Sequence, residues 1–167
     1  MNPRAGQAVR SEITTILSPG NLAEIYAHAA REFPRECCGF ILADGVRRAR
    51  NVIDELHAAD PESFERSSAT GYALSVEDAL FLDGSFDTPR PVLAVYHSHP
   101  NGHAYFSEED TRRALHCGEP VYPDLLQLVV GIDESGVREA RLFAFLEGGF
   151  TELAHRAPHP HPTQSTS

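Results

Sequence analysis

Residues 92–99, Val-Leu-Ala-Val-Tyr-His-Ser-His, form an apolar run that turns polar at its end, and Pro100 stops it. A short, bounded run of this kind reads as a buried strand. Seven residues then intervene, and Ser107-Glu108-Glu109-Asp110 opens a helical pattern, with Ser107 as a natural N-cap and Asp110 three residues on. His97 and His99, two apart on a strand, point to one face. Ser107 and Asp110, three apart at a helix start, also share a face. Pro100 and Gly102 make the turn between them. A strand end and a helix start can therefore direct two imidazoles and one carboxylate at one point. Two nitrogens, one oxygen and a fourth position open to water is the donor set of a catalytic zinc site. Taken singly, the histidines read as surface groups and Ser107 with Asp110 as a plain cap. The close spacing of all four favours the metal.

Around this segment the strand and helix signals alternate irregularly, with no internal repeat. Residues 11–17 alternate polar and apolar and read as a first strand after a flexible stretch at 1–10. Residues 21–33 put Leu22, Ile25, Tyr26, Ala29 and Phe33 on one helical face, with Asn21 as N-cap and Pro34 as stop. Residues 37–45 read as a buried strand ended by Asp44-Gly45, a hairpin signal, with 46–54 returning beside it. From 57 to 71 the pattern lapses into a loop with one helical turn; 72–75 is a short strand and 75–86 a helix capped by Ser75. The helix at 107–118 is closed by Gly118, and 124–133 (central) and 137–149 are further strands. The tail, taken from 155 and rich in Pro, Ser and Thr from Ala157, is expected to be disordered. His155, His159 and His161 lie in or near it and read as solvated. A domain over 11–154 results, of α+β class, α/β/α layered around one mixed sheet.

A chain of 167 residues supplies one core, not two. Its net charge of -10 argues against a nucleic-acid partner, which needs clustered Lys and Arg. No stretch approaches the ~20 apolar residues that cross a bilayer, and the first residues lack the pattern of a signal peptide. A cytoplasmic protein with no membrane partner is the expectation. Cys37, Cys38 and Cys117 do not make a disulfide framework, in keeping with a reducing compartment. Cys37 and Cys38 should point to opposite faces of a strand and be buried. Other histidine-based centres are set aside. There is no His-Glu-x-x-His helix and no His-x-Glu followed by Pro-Cys-x-x-Cys. The barrel hydrolases with His-x-His need about 250 residues.

His97-Ser98-His99-Pro100 followed by Ser107-x-x-Asp110 resembles the signature of the JAMM (MPN+) zinc metallopeptidases. Pro34-Arg35-Glu36-Cys37-Cys38-Gly39-Phe40 is similar to the Pro-x-Glu-x-Cys-Gly stretch of its small stand-alone bacterial members, among them sulfur-carrier peptidases. The resemblance runs from about residue 12 to 148. It implies a single JAMM/MPN domain, a central mixed β-sheet flanked by helices (cytidine deaminase-like), with one catalytic Zn2+ and its water held by His97, His99 and Asp110. It also selects Glu36 as general acid-base, where spacing alone leaves Glu24, Glu32, Glu55 and Glu62 equally good. Ser107 is implied as the group that steadies the oxyanion. The implied activity is hydrolysis of the amide or isopeptide bond after the C-terminal Gly-Gly of a ubiquitin-like or sulfur-carrier protein, whose tail is the expected partner. The resemblance also admits a deconjugase of ubiquitin-like modifiers in an antiviral operon, a RadC-like protein and a metal-free MPN scaffold. Against the last, Glu36, His97, His99, Ser107 and Asp110 are all present. His103 reads as surface, while Tyr105 and Phe106 either pack the loop or line a groove. Oligomeric state is open, a homodimer included.

Overall fold

The computed structural model describes residues 3–158. Helices α1 (Pro3–Ile16) and α2 (Pro19–Glu32) lead into a hairpin of β1 (Cys38–Leu42) and β2 (Gly45–Ala49). Two helices follow, α3 (Ile53–Ala59) and α4 (Val76–Ser85), then β3 (Ala94–His99) and α5 (Glu108–Ala114). A small hairpin of β4 (Leu115–His116) and β5 (Glu119–Pro120) precedes β6 (Leu126–Asp133), β7 (Gly136–Leu146) and β8 (Gly149–Arg156). Six strands form one mixed sheet in the order β2-β1-β3-β6-β7-β8. Only β3 and β6 run parallel; the other neighbours are antiparallel.

Period-two alternation along the central strands makes two cores. On one face Ile41, Ala94, Tyr96, Leu128, Val130 and Leu142 pack against Ile16 and Leu17 of the α1 end and Ile25 and Ala29 of α2. On the other, Phe40, Leu42 and Val95 pack against Leu82 of α4 and Leu125. The layered α+β reading is therefore correct. Cys37 joins the first core and Cys38 the second, both buried and unpaired, while Cys117 is free and exposed. Gly39 serves the first core: a Cβ there would meet the Tyr96 ring at 2.5 Å, and the Tyr96 hydroxyl reaches His28 Nδ1 at 2.7 Å.

Several elements differ from the sequence reading. Residues 11–17 belong to a helix and its end, not a strand. Ile13, Ile16 and Leu17 are spaced three and one apart and form an apolar stripe against α2, so the helical period prevails. The same helix takes in residues 3–10, expected to be flexible. Ser18, not Asn21, caps α2; its hydroxyl accepts the Asn21 N–H at 3.3 Å, and Pro19 occupies the first turn. The strand expected over 46–54 stops at Ala49, and α3 follows it. The strand expected at 72–75 is a single bridge, Asn51 to Leu74. The helix expected to reach 118 ends at Ala114. Cys117 (φ 51°) and Gly118 (φ 83°) both sit in the left-handed region and turn the β4–β5 hairpin instead. A second such turn, Glu147 (φ 50°) and Gly148 (φ 84°), adds the unexpected β8. His155 therefore lies on an edge strand, 3.1 Å from Glu139, while His159 and His161 lie outside the described residues. Among the described residues no helix is long and apolar enough to cross a membrane.

Candidate metal centre

His97 and His99 end β3 with their side chains on the α4 and α5 face of the sheet, both buried. Pairing fixes their depth: His97 lies opposite Cys38 of β1 and Val129 of β6, and His99 opposite Gly131 of β6. The loop after Pro100 then folds back over the end of β6. Gly102 N–H donates to the Ile132 carbonyl at 2.9 Å, and Ala104 N–H to Glu139 Oε1 at 2.8 Å. This close approach requires Gly131, where a Cβ would stand 2.6 Å from the Gly102 carbonyl oxygen. The loop delivers Ser107 to the start of α5, where it makes a complete capping box with Asp110. Asp110 N–H donates to Ser107 Oγ at 3.0 Å; Ser107 N–H and Oγ–H donate to Asp110 Oδ2 at 2.9 and 2.7 Å. The cap thereby aims the carboxylate.

Three ligand-type atoms converge as a result. His97 Nε2 and His99 Nε2 are 3.1 Å apart, and each is 3.3 Å from Asp110 Oδ2. These residues can hold a metal ion. A tetrahedral divalent ion with bonds of about 2.0–2.1 Å sets its donors about 3.3–3.4 Å apart, close to the triangle seen here. Protons serve the cluster worse. With one on each ring, Oδ2 would face four donors, two of them already from Ser107. Electrostatics tell the same story. Burial would raise the Asp110 carboxyl, but the His97 charge and hydrogen bonds from both histidines and Ser107 hold it far below the ordinary carboxylate range. Burial pushes both imidazoles down; at His97 the Asp110 carboxylate more than reverses this, whereas at His99 burial prevails.

Glu36 arrives from the other side, just before β1, with Oε1 4.0 Å from His99 Nε2 and the residue 5% exposed. Burial first, then the nearby Asp110, push its carboxyl up, against the opposing pull of His97, to about 7. Its backbone is clamped on both sides. Glu36 N–H donates to the Ser68 carbonyl at 2.6 Å, and Asn51 Nδ2 donates to the Glu36 carbonyl at 2.9 Å. Ser68 is itself held by both oxygens of Asp54. Asn51 also reaches the Gly71 carbonyl and accepts from the Ile53 and Ala73 N–H groups, so its amide joins three segments. Ser98, between the two histidines and pointing the opposite way, accepts Cys37 N–H at 2.9 Å and so ties Glu36 to β3.

The five residues singled out in the sequence thus meet at one place. His103 is exposed as expected. Tyr105 and Phe106 do more than pack the loop: the Tyr105 ring lies 4.7 Å from that of His99, and Phe106 sits edge-on to His97 at 6.4 Å. Sequence reasoning did not find Tyr72, stacked on His97 at 4.9 Å, or the supports Asn51, Ser98, Asp54, Gly131 and Glu139. Of these, only Ser98 carried a signal, since alternation turns the residue between two co-facial histidines toward the neighbouring core. A cleft of about 330 Å³ opens over Glu36, His99 and Asp110, bordered by Arg66, Tyr105 and Arg113.

A mixed sheet with this cluster at the end of its one parallel pair is the arrangement of a JAB/MPN-type domain, and solved structures share the fold. A Desulfitobacterium hafniense protein matches with TM-score 0.58 at 20% identity, covering 81% of this chain and 86% of that one. A Salinibacter ruber protein matches with TM-score 0.52 at 22% identity, covering 86% of this chain and 92% of that one. The family model for prokaryotic homologs of the JAB domain matches residues 19–142, and the chain belongs to that family. A comparison with curated proteins finds no match.

Proposed function

We propose that this chain is a zinc metallopeptidase that hydrolyses the amide or isopeptide bond after the C-terminal Gly-Gly of a ubiquitin-like or sulfur-carrier protein. The observation that carries the reading is the triangle of His97 Nε2, His99 Nε2 and Asp110 Oδ2, with a buried carboxylate beside its open side. A donor set of two imidazoles and one carboxylate suits zinc, which supplies Lewis-acid activation of water and of an amide carbonyl.

The chain's own residues supply the rest. Glu36 takes the proton of the attacking water at its carboxylate and delivers it to the departing amine. A carboxyl raised by burial is suited to both halves of that task. Asn51, Ser68 and Ser98 keep it aimed. Ser107 begins as the donor that orients Asp110; to steady the developing oxyanion its hydroxyl turns from Asp110 toward the carbonyl oxygen. A slender tail whose last residues have no side chains can enter the cleft past Tyr105 and Arg113, which border it.

Intact-mass spectrometry tests the reading. The zinc-loaded protein and its Glu36→Gln variant are incubated with a ubiquitin-like protein extended beyond Gly-Gly by one Cys, by a short peptide, or by a lysine-linked isopeptide. Wild type alone should trim after Gly-Gly. The preferred extension separates sulfur-carrier processing from deconjugation. Zinc retained by both proteins with no cleavage of any extension would refute the substrate class.

A further inference from the structure

Beside the metal centre lies a second cavity, of about 270 Å³, lined by Tyr72 and Phe106. One wall is aromatic, with Phe150 4.3 Å from Phe106 and 5.4 Å from Phe145 between ring centroids. Leu125 and Val121, from the segment that follows the β4–β5 hairpin, line it as well. Asp110 and Arg113 of α5 border it too, so this cavity and the metal centre share a wall. Val121, half exposed at 50%, marks its mouth.

One lining residue does not suit such a pocket. Gln127 of β6 is 8% exposed, lies on the same sheet face as Val95 and Val129, and has no hydrogen-bond partner for its side chain among the described residues. Its amide offers two donors and an acceptor. The amide is reachable from the cavity, and an apolar occupant that covered it would leave it dry and unpaired, which is costly and which folded proteins rarely tolerate. Packing does not require it either: an aliphatic residue would fit between Val95 and Phe143, its neighbours across the strands.

We propose that this cavity is a substrate subsite for a tyrosine-like side chain, an aromatic ring with a hydroxyl tip, borne by the protein whose bond is cut. The proposal rests on the peptidase reading above. Phe106, Phe145 and Phe150 receive the ring, and the hydroxyl pairs with the Gln127 amide. A leucine or phenylalanine side chain would fill the same walls but seal Gln127 away from water without a partner. A short polar side chain would leave the aromatic wall uncovered.

Two measurements decide it, and the first needs neither metal nor turnover. Titrating the protein with p-cresol and with toluene, followed by amide NMR shifts, should move signals of residues 72–74, 121–127 and 145–150 in both cases. The Kd for p-cresol should be about tenfold the lower, one hydrogen bond's worth. Gln127→Leu should reverse the order, and Gln127→Met serves if that variant does not fold. Toluene binding as tightly as p-cresol to wild type, or neither probe reaching these residues, overturns the subsite. In the second, Gly-Gly substrates with Tyr or Phe scanned through the upstream positions are compared. At one position Tyr should lower KM about tenfold in wild type and not in Gln127→Leu. Cleavage with no such position overturns the proposal. If nothing is cleaved while p-cresol keeps its preference, the peptidase reading has failed and the substrate role falls with it; if cleavage proceeds and p-cresol shows no preference, only the subsite has failed.

Discussion

The Glu36 carboxyl is buried 4.0 Å from His99 Nε2, outside the triangle of ligand atoms. Glu36→Gln keeps shape and burial but cannot carry a proton. It should therefore retain about one metal ion per chain by elemental analysis while turnover falls roughly 10²- to 10⁴-fold. Loss of the metal in this variant would make Glu36 a ligand and refute its placement as the base. A second consequence concerns the metal-free protein. Folding raises this carboxyl from 4.5 to about 7, so its contribution to stability is complete below pH 4.5 and is lost as pH rises through 7. The loss is on the order of 3 kcal/mol. At pH 8 in EDTA, Glu36→Gln should melt several degrees above wild type, and at pH 4 the two should coincide. Equal melting at both pH values would show that the carboxyl is better solvated than its burial indicates. Ser107→Ala separates the cap from the chemistry. Loss of the cap costs about 1 kcal/mol, but Asp110 also loses two of the bonds that aim it. Metal affinity should fall about 10- to 100-fold, measured by competition with a chromogenic chelator. Unchanged affinity would mean that α5 aims Asp110 without its cap.

Between β3 and α5 the loop is held by contacts that no single element supplies. Gly131 of β6 lets the Gly102 carbonyl come within 2.6 Å of where a Cβ would be. Gly131→Ala puts a methyl group against backbone, so the loop must move. The expected cost is about 1–3 kcal/mol in thermal unfolding, with weakened metal binding. Gly20→Ala, at a position in α2 with open space around it, is the control and should do neither. The same contacts explain what could be read in advance. His97, His99, Ser107 and Asp110 lie in one short stretch, so strand and helix periods alone bring them together. Glu36 reaches them through the pairing of β1 with β3, with Cys37 and Ser98 bonded across 61 positions, and no local pattern announces that. Only a family resemblance pointed to it. Asn51 was invisible for a similar reason: its partners at 36, 53, 71 and 73 converge only once the fold exists. The departures lie in the period: Ile13, Ile16 and Leu17 suit a helix better than a strand, and β8, half exposed at the sheet edge, lacks a run of buried apolar residues. Gly118, expected to close a helix, and Gly148, inside the expected strand 137–149, are each the second residue of a tight hairpin turn.

At the scale of the whole molecule, the proposed metal closes a contact between the sheet and a short helix. Helix α5 has seven residues, none of them buried, so packing alone holds it weakly. Two ligands come from the rigid centre of the sheet and one from α5, which makes the ion a cross-link between them. An ion that binds only the folded chain stabilises it by about 2.7 kcal/mol when its free concentration is 100 times Kd. For a chain of this size that is roughly 5–10 °C in Tm. Zinc should raise the Tm of EDTA-treated wild type by that amount and leave His97→Ala unmoved, since the variant lacks a ligand. Hydrogen exchange gives the shift an address. Amides of α5 and the β4–β5 hairpin should become protected on loading, whereas those of β6 and β7, already deep in the sheet, should not change. The hairpin belongs in that set because it follows α5 directly and lines the cavity that Asp110 and Arg113 border. Loading would then order one wall of the cavity together with the metal centre. A Tm shift shared by His97→Ala, or protection spread evenly over the sheet, would mean that zinc binds elsewhere and that α5 is held by packing after all.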